Sequence, residues 1–183
     1  KNPEINADVI FSTILNKKLK VFKLLVNFYN SEAIKNGGKN ATKWVEKLDM
    51  KGLNPMHVIM KKGRHEFLPI IISFVSDVNK VCKYGYTPLA WACGDPVDGD
   101  ENEGLLQTLA VKKLLSLCKV NQNNNSKRQL EILNKDSSRP ILDINVLDSC
   151  YKSPLFYSIQ NCLPEIGRML FEKGARFSCA KEK

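Results

Sequence analysis

Three residue pairs constrain the fold of this chain more than any other feature: Asn54-Pro55, Thr87-Pro88 and Ser153-Pro154. The first two prolines lie 33 residues apart (88 − 55), and the second and third lie 66 apart (154 − 88), twice that spacing. Asn, Thr and Ser are strong helix N-caps, because a side-chain oxygen accepts a hydrogen bond from a backbone N–H that the first helical turn leaves unpaired. Proline suits the next position, where its missing N–H is not needed and its fixed φ is already helical. Each pair therefore predicts a helix start. The helices read Pro55-Met56-His57-Val58-Ile59-Met60, Pro88-Leu89-Ala90-Trp91-Ala92-Cys93 and Pro154-Leu155-Phe156-Tyr157-Ser158-Ile159.

A second apolar segment follows the first helix, at Glu66–Ile72 and again at Glu165–Phe171. Each unit then closes on an extended stretch: Ser76-Asp77-Val78-Asn79, Leu142-Asp143-Ile144-Asn145 and Gly174-Ala175-Arg176-Phe177. A helix pair repeated at this period marks a stacked architecture, in which one unit cannot bury its apolar face alone and its neighbours cover it.

Thr87-Pro88-Leu89-Ala90 and Asn54-Pro55-Met56-His57 resemble the Thr-Pro-Leu-His tetrapeptide of the ankyrin-repeat family. Asp77-Val78-Asn79 and Asp143-Ile144-Asn145 look like that family's closing segment, and Asp49-Met50-Lys51-Gly52 and Tyr84-Gly85 like the finger that opens each unit. The resemblance covers roughly residues 48–178. It implies an all-α fold, an ankyrin-repeat solenoid of about four helix-pair repeats with β-turn or hairpin fingers. The whole chain, 1–183, is then one domain, with repeats at about 5–33, 48–80, 81–146 and 147–179. The first unit lacks the proline and the finger, but Asp8-Val9-Ile10-Phe11 aligns with a helix start and Leu19–Val26 with a second helix. In the last unit Tyr151 stands where the finger has glycine, and Arg176 where the family has Asp. The resemblance gives His57 a bracing role between neighbouring repeats, and Trp91 reads as a core residue of its helix.

The third repeat carries two insertions, 95–105 and 119–140, and a further one spans Ser31–Glu46. The position one period beyond Pro88 opens Asn121-Gln122-Asn123-Asn124-Asn125, with no capped proline and no apolar helix, so insertion is preferred to a hidden repeat. A helix from about Leu105 to Cys118 and a short one around Ser126–Leu133 are expected. The acidic loop Asp95–Glu103 lacks the spacing of a calcium loop and reads as solvated. In a stack its turn would lie beside those carrying Lys17, Lys18, Lys61, Lys62, Arg64 and His65, and it is expected to lean on that basic edge.

Ankyrin-like proteins bind partners on the concave face, between finger tips and inner helices. Carried over residue by residue, the resemblance places partner contacts at Met50, Lys51, Leu53, Lys83, Tyr84, Tyr86, Ser149 and Lys152, with Lys61 and Lys62 at the groove-side helix ends. Cys150, Gln160 and Asn161 border the same face. Tyrosines make good interface anchors, and the lysines favour an acidic partner.

The formal net charge of +9 admits an acidic protein, nucleic acid or acidic lipid without choosing among them. Six cysteines without a C-x-x-C pair, and only two histidines, give no zinc spacing and suggest reduced thiols in the cytoplasm. No apolar run is long enough for a membrane span. Phosphate-loop, dinucleotide, zinc-protease and serine-elbow motifs are missing. The expectation is a monomeric, non-enzymatic protein-binding module with no cofactor or metal. The alternatives are a basic-edge binder of nucleic acid or acidic lipid, or a targeting domain of a larger enzyme or effector.

Overall fold

A computed structural model of the chain describes residues 7–35, 43–94, 101–121 and 139–178. They form eight α-helices and one two-stranded sheet. Helix α1 spans Ala7–Leu15 and α2 Leu19–Lys35. After a 3₁₀ turn at Lys43–Glu46 come α3 (Pro55–Lys61), a 3₁₀ turn at His65–Phe67, and α4 (Leu68–Ile71). Then follow α5 (Pro88–Gly94), α6 (Glu101–Leu117), α7 (Pro154–Gln160) and α8 (Pro164–Glu172).

The helices stack in two rows. The inner row runs α1, α3, α5, α7, each packed on the next; in the outer row α6 packs on both the His65–Phe67/α4 segment and α8. The caps act as the sequence chemistry requires. Asn54 Oδ1 accepts from His57 N at 3.0 Å, Thr87 Oγ1 from Ala90 N at 3.1 Å, and Ser153 Oγ from Phe156 N at 3.2 Å. Three of the inner helices, α1, α3 and α7, also stop alike, on a left-handed residue: Lys17 (φ 54°), Gly63 (φ 62°) and Cys162 (φ 52°). There the paired bonds of a Schellman turn recur, as in Gly63 N to Met60 O and Arg64 N to Ile59 O.

The core lies between the rows and is continuous along the stack. Ile10 and Ile14, Met56 and Ile59, and Leu89 and Ala92 supply its inner side. Phe22, Phe67, Leu114 and Ile166 supply the outer side, and Trp44 seals it near α2. Trp91 is half-buried rather than a full core member.

Polar side chains tie one unit to the next. Asn79 Nδ2 donates to Ile141 O and Asn79 Oδ1 accepts from Asp143 N, both at 2.8 Å. Asn145 Oδ1, 66 residues on, accepts from Arg176 N at 2.7 Å. These bonds satisfy the extended segments' backbone, which has no long ladder of its own.

Three expectations are corrected in detail. The segment Glu66–Ile72 is not one helix: Pro69 cannot donate to His65 O, so a 3₁₀ turn ends at Phe67 and α4 starts afresh. The third unit's outer helix begins at Glu101 rather than Leu105, since acidic residue types suit the positive end of a helix. The second helix of the first unit runs on to Lys35. The 119–140 insertion leaves and returns through a parallel pair, β1 (Lys119–Val120) with β2 (Ile141–Leu142), which restores the register at Ile141. Most of the acidic loop (residues 95–100) and the short helix expected around Ser126–Leu133 lie outside the described residues.

The fingers explain the glycine replacement. In the first, Asp49 Oδ1 accepts from Lys51 N and Leu53 N, both at 2.8 Å; in the third, Asp148 Oδ1 accepts from Cys150 N at 2.8 Å and Lys152 N at 2.9 Å. The residue that must turn left-handed is Gly52 (φ 75°), Gly85 (φ 80°) and then Tyr151 (φ 59°). At Gly85 an added Cβ would sit 2.6 Å from Ser149 N of the next finger, so the site needs glycine twice over. Tyr151 keeps an exposed side chain and bears only the left-handed strain. Gly85→Ala is expected to cost at least about 2 kcal/mol, and Tyr151→Gly to stabilise by about 0.5–1 kcal/mol. Urea unfolding of the two variants checks both signs.

Candidate functional site

The expected contact residues do not form one homogeneous surface. Met50 is fully exposed at its finger tip, and Lys51, Lys83 and Ser149 are exposed with it. Leu53 is only 2% exposed and belongs to the core, because it is the last residue of the finger and points back under α3; it is withdrawn as a contact. Tyr84 is 45% exposed, whereas Tyr86 is half-buried and held on both sides. Cys150 is exposed, while Asn161 is half-buried and spends its amide on Cys93 O at 2.8 Å.

Aromatic rings organise the face. Tyr84 packs edge-on to Trp91 at 6.5 Å between centroids, Trp91 lies 5.2 Å from Tyr86, and Tyr86 lies 5.5 Å from Tyr157. The row continues from Tyr157 to Phe156 at 5.6 Å and on to Phe177 at 5.4 Å. Fingers contribute Tyr84 and Tyr86, while the inner helices contribute Trp91, Phe156 and Tyr157, so the row crosses the angle between them.

Three lysines sit over these rings. Lys61 Nζ lies 4.3 Å from the Trp91 centroid, Lys83 Nζ 4.9 Å from Tyr84, and Lys152 Nζ 4.9 Å from Phe156. Such contacts, worth about 0.5–1 kcal/mol each at exposed sites, hold an ammonium in place without neutralising it. Among the described residues Lys83 and Lys152 form no ion pair, so their charge is presented to whatever enters. The Trp91 indole N–H is covered from solvent and has no acceptor among the described residues.

A polar chain fixes the row. Asp148, buried at the base of the third finger, accepts from the Tyr157 hydroxyl through its second oxygen. Tyr157 has a single proton, so the Tyr86 hydroxyl, 3.1 Å away, donates to it. Burial, and then the bond to Asp148, push the Tyr157 phenol far above its ordinary range, so it stays a donor.

His57 braces the neighbouring junction. Its Nε2 lies 3.2 Å from the Tyr86 carbonyl, which only accepts, so Nε2 carries the proton and Nδ1 accepts from Asn54 N at 3.3 Å. Burial lowers its pKa from 6.5 to about 4. Cys93 and Cys118 are buried thiols, raised by desolvation, the latter to about 12. These groups are occupied by the fold. The described residues hold no cluster of metal-ligating side chains and no helix long and apolar enough to cross a membrane.

The supposed basic edge divides. Lys17 and Lys18 are exposed, but Lys61 turns into the aromatic face and Arg64 caps α1, with Nε 3.4 Å from Ile14 O and a guanidinium NH2 3.3 Å from Leu15 O. Sequence reasoning missed Phe156, Tyr157 and Trp91 as parts of the face. Helical spacing marks them as semi-apolar, but only the packing of fingers on helices shows which side they take.

No protein-family model matches the chain, and a search of curated proteins finds no match either.

The depressed pKa of His57 gives a stability signature. The neutral ring is favoured in the folded state, so stability is complete above pH 6.5 and declines as the pH falls towards 4, where the unfolded state takes the proton more readily. The loss should reach about 3 kcal/mol by pH 4. His57→Gln should flatten that part of the profile, measured as the wild-type-minus-variant difference in urea unfolding energy across the pH series.

Proposed function

We propose that the chain is an ankyrin-repeat solenoid acting as a cytoplasmic protein-interaction module, with an acidic partner held in the groove between fingers and inner helices. Support for the repeat reading comes from the equivalent capped prolines and fingers at one spacing, and from the left-handed stops that end α1, α3 and α7. The binding reading rests on one observation: a row of aromatic rings, Tyr84 to Phe177, with lysine ammonium groups seated on its faces.

The chemistry is complementary to an extended acidic segment carrying apolar side chains. Tyr84 and Phe177 offer exposed ring area, and the half-buried Tyr86 is ordered from beneath by the buried Asp148–Tyr157 pair, which lowers the conformational cost of binding. The lysines supply steering and a penalty against basic partners. The neutral, fully engaged His57 and the buried thiols of Cys93 and Cys118 favour a binding role over catalysis, and free thiols suit a reducing compartment. The rival nucleic-acid or acidic-lipid edge is disfavoured by the loss of Lys61 and Arg64 to other tasks.

The test is quantitative capture from cell lysate with wild type, with Lys83→Glu/Lys152→Glu, and with Lys17→Glu/Lys18→Glu. The groove variant should lose its captured proteins at least about tenfold, the edge variant less than about twofold, since desolvated charge reversals cost several kcal/mol and rim charges little. The reverse order would transfer the function to the edge.

A further inference from the structure

The fingers repeat one feature that the fold itself does not need. Leu48, Val81 and Leu147 open the three fingers and are 56%, 49% and 40% exposed. They stand 33 residues apart (81 − 48) and then 66 (147 − 81), the spacing of the capped prolines. Single exposed apolar residues are ordinary, but the same exposed position filled by Leu, Val and Leu in three successive units forms a ladder. The next residue in each finger, Asp49, Cys82 or Asp148, is engaged with the fold. Cys82 and Asp148 are buried, and both aspartates accept backbone N–H groups of their own finger through Oδ1. The residue beyond, Met50, Lys83 or Ser149, is exposed again, and alternation along an extended chain puts it on the ladder's side. Lys83 Nζ lies over the Tyr84 ring, so the ladder borders the aromatic row.

The ladder has an even pitch. A Cβ added at Gly52 would stand 3.0 Å from the Lys83 side chain, and one added at Gly85 would stand 2.6 Å from Ser149 N. Gly52 and Gly85 are equivalent positions, as are Lys83 and Ser149, so the same contact joins both pairs of fingers. The fingers step with α3, α5 and α7, and packed helices lie about 8–10 Å apart. A peptide that meets every finger alike must bring an equivalent side chain round at that interval. Three residues of polyproline II advance about 9.3 Å and complete one turn, so positions i, i+3 and i+6 share a face. Three residues of β-strand cover about 10 Å but end on the opposite face. An α-helix needs seven residues and about 10.5 Å, and its misfit grows from finger to finger.

Charge on the fingers selects the sign of the ligand. Lys47, Lys51, Lys83 and Lys152 form no ion pair among the described residues. The carboxylates nearby are engaged, Asp49 and Asp148 with backbone N–H groups and Glu46 with Lys80 and Ser76. Apolar rungs and uncompensated ammonium groups therefore alternate along one side of the fingers.

From this we infer that the acidic partner enters as a polyproline II segment with an apolar residue at every third position. Those residues sit on Leu48, Val81 and Leu147, and the carboxylates between them meet the finger lysines. The inference rests on the groove reading above and adds the conformation and the period of the ligand. Grooves lined with aromatic rings suit proline-containing segments in this conformation, and Tyr84, Trp91 and Tyr86 supply such a lining. A helix of this kind is formed before binding, so little of its freedom is lost on the fingers.

Fluorescence anisotropy with labelled synthetic peptides tests it. The first peptide is a run of four Leu-Pro-Glu triplets. A second has the same residues in an order that breaks the period of three, and a third is an acidic helical peptide with leucine at every seventh position. The first should bind at least about tenfold more tightly than either of the others. Leu48→Ser/Val81→Ser/Leu147→Ser, all at exposed positions, should weaken it at least about tenfold while keeping the wild-type melting temperature. Lys83→Glu/Lys152→Glu should abolish its binding. Equal binding of the first two peptides, preference for the helical one, or indifference to the triple serine variant would overturn the ligand's period; if Lys83→Glu/Lys152→Glu still abolished binding, the groove reading would stand. Binding that survives Lys83→Glu/Lys152→Glu would remove both.

Discussion

A seven-residue α-helix does not persist alone in water, because fixing the first turn costs more conformational freedom than its few hydrogen bonds return. Helices α3, α5 and α7 are each of that length. Everything else in the molecule follows from how they are kept. Each has an oxygen cap and a proline at its start, which lower the cost of nucleation. Each packs against its neighbours in the inner row, and the ends of α3 and α7 share the left-handed stop of α1. Each junction also brings a side-chain donor to carbonyls that would otherwise be orphaned in a partly dry place. No unit holds its shape by itself.

The aromatic row is a consequence of the same stacking. His57 braces one junction by bonding the Tyr86 carbonyl, and Asp148 braces another by taking the Tyr157 hydroxyl. Both braces converge on the stretch of chain that carries Tyr84 and Tyr86, which holds the aromatic row in place. Rigidity of that kind lowers the entropy that binding must remove. The cost is a buried imidazole, which makes the fold sensitive to acid.

The local chemistry was open to reading from the chain because each signal depends on few neighbours. A cap needs only the residues three ahead of it, and a left-handed turn only its own side chain, so the helix starts at Pro55, Pro88 and Pro154 could be placed without coordinates. Leu53 shows the limit. It sits in a finger beside exposed Met50 and Lys51, but the chain reverses there and its side chain enters the core. Tyr86 and Tyr157 show the same limit from the other side. Their pairing spans 71 residues, and no local spacing encodes it.

Sequence alone determined where short helices begin and what caps them, since those choices are made by hydrogen-bonding and steric preferences within a few residues. It also determined the period, and with it the need for neighbours. Tertiary structure alone decided which aromatic residues share a face and which lysines lie over them. Those outcomes depend on how residues tens of positions apart meet, and the free energy of such meetings is set by packing and desolvation that no single segment contains.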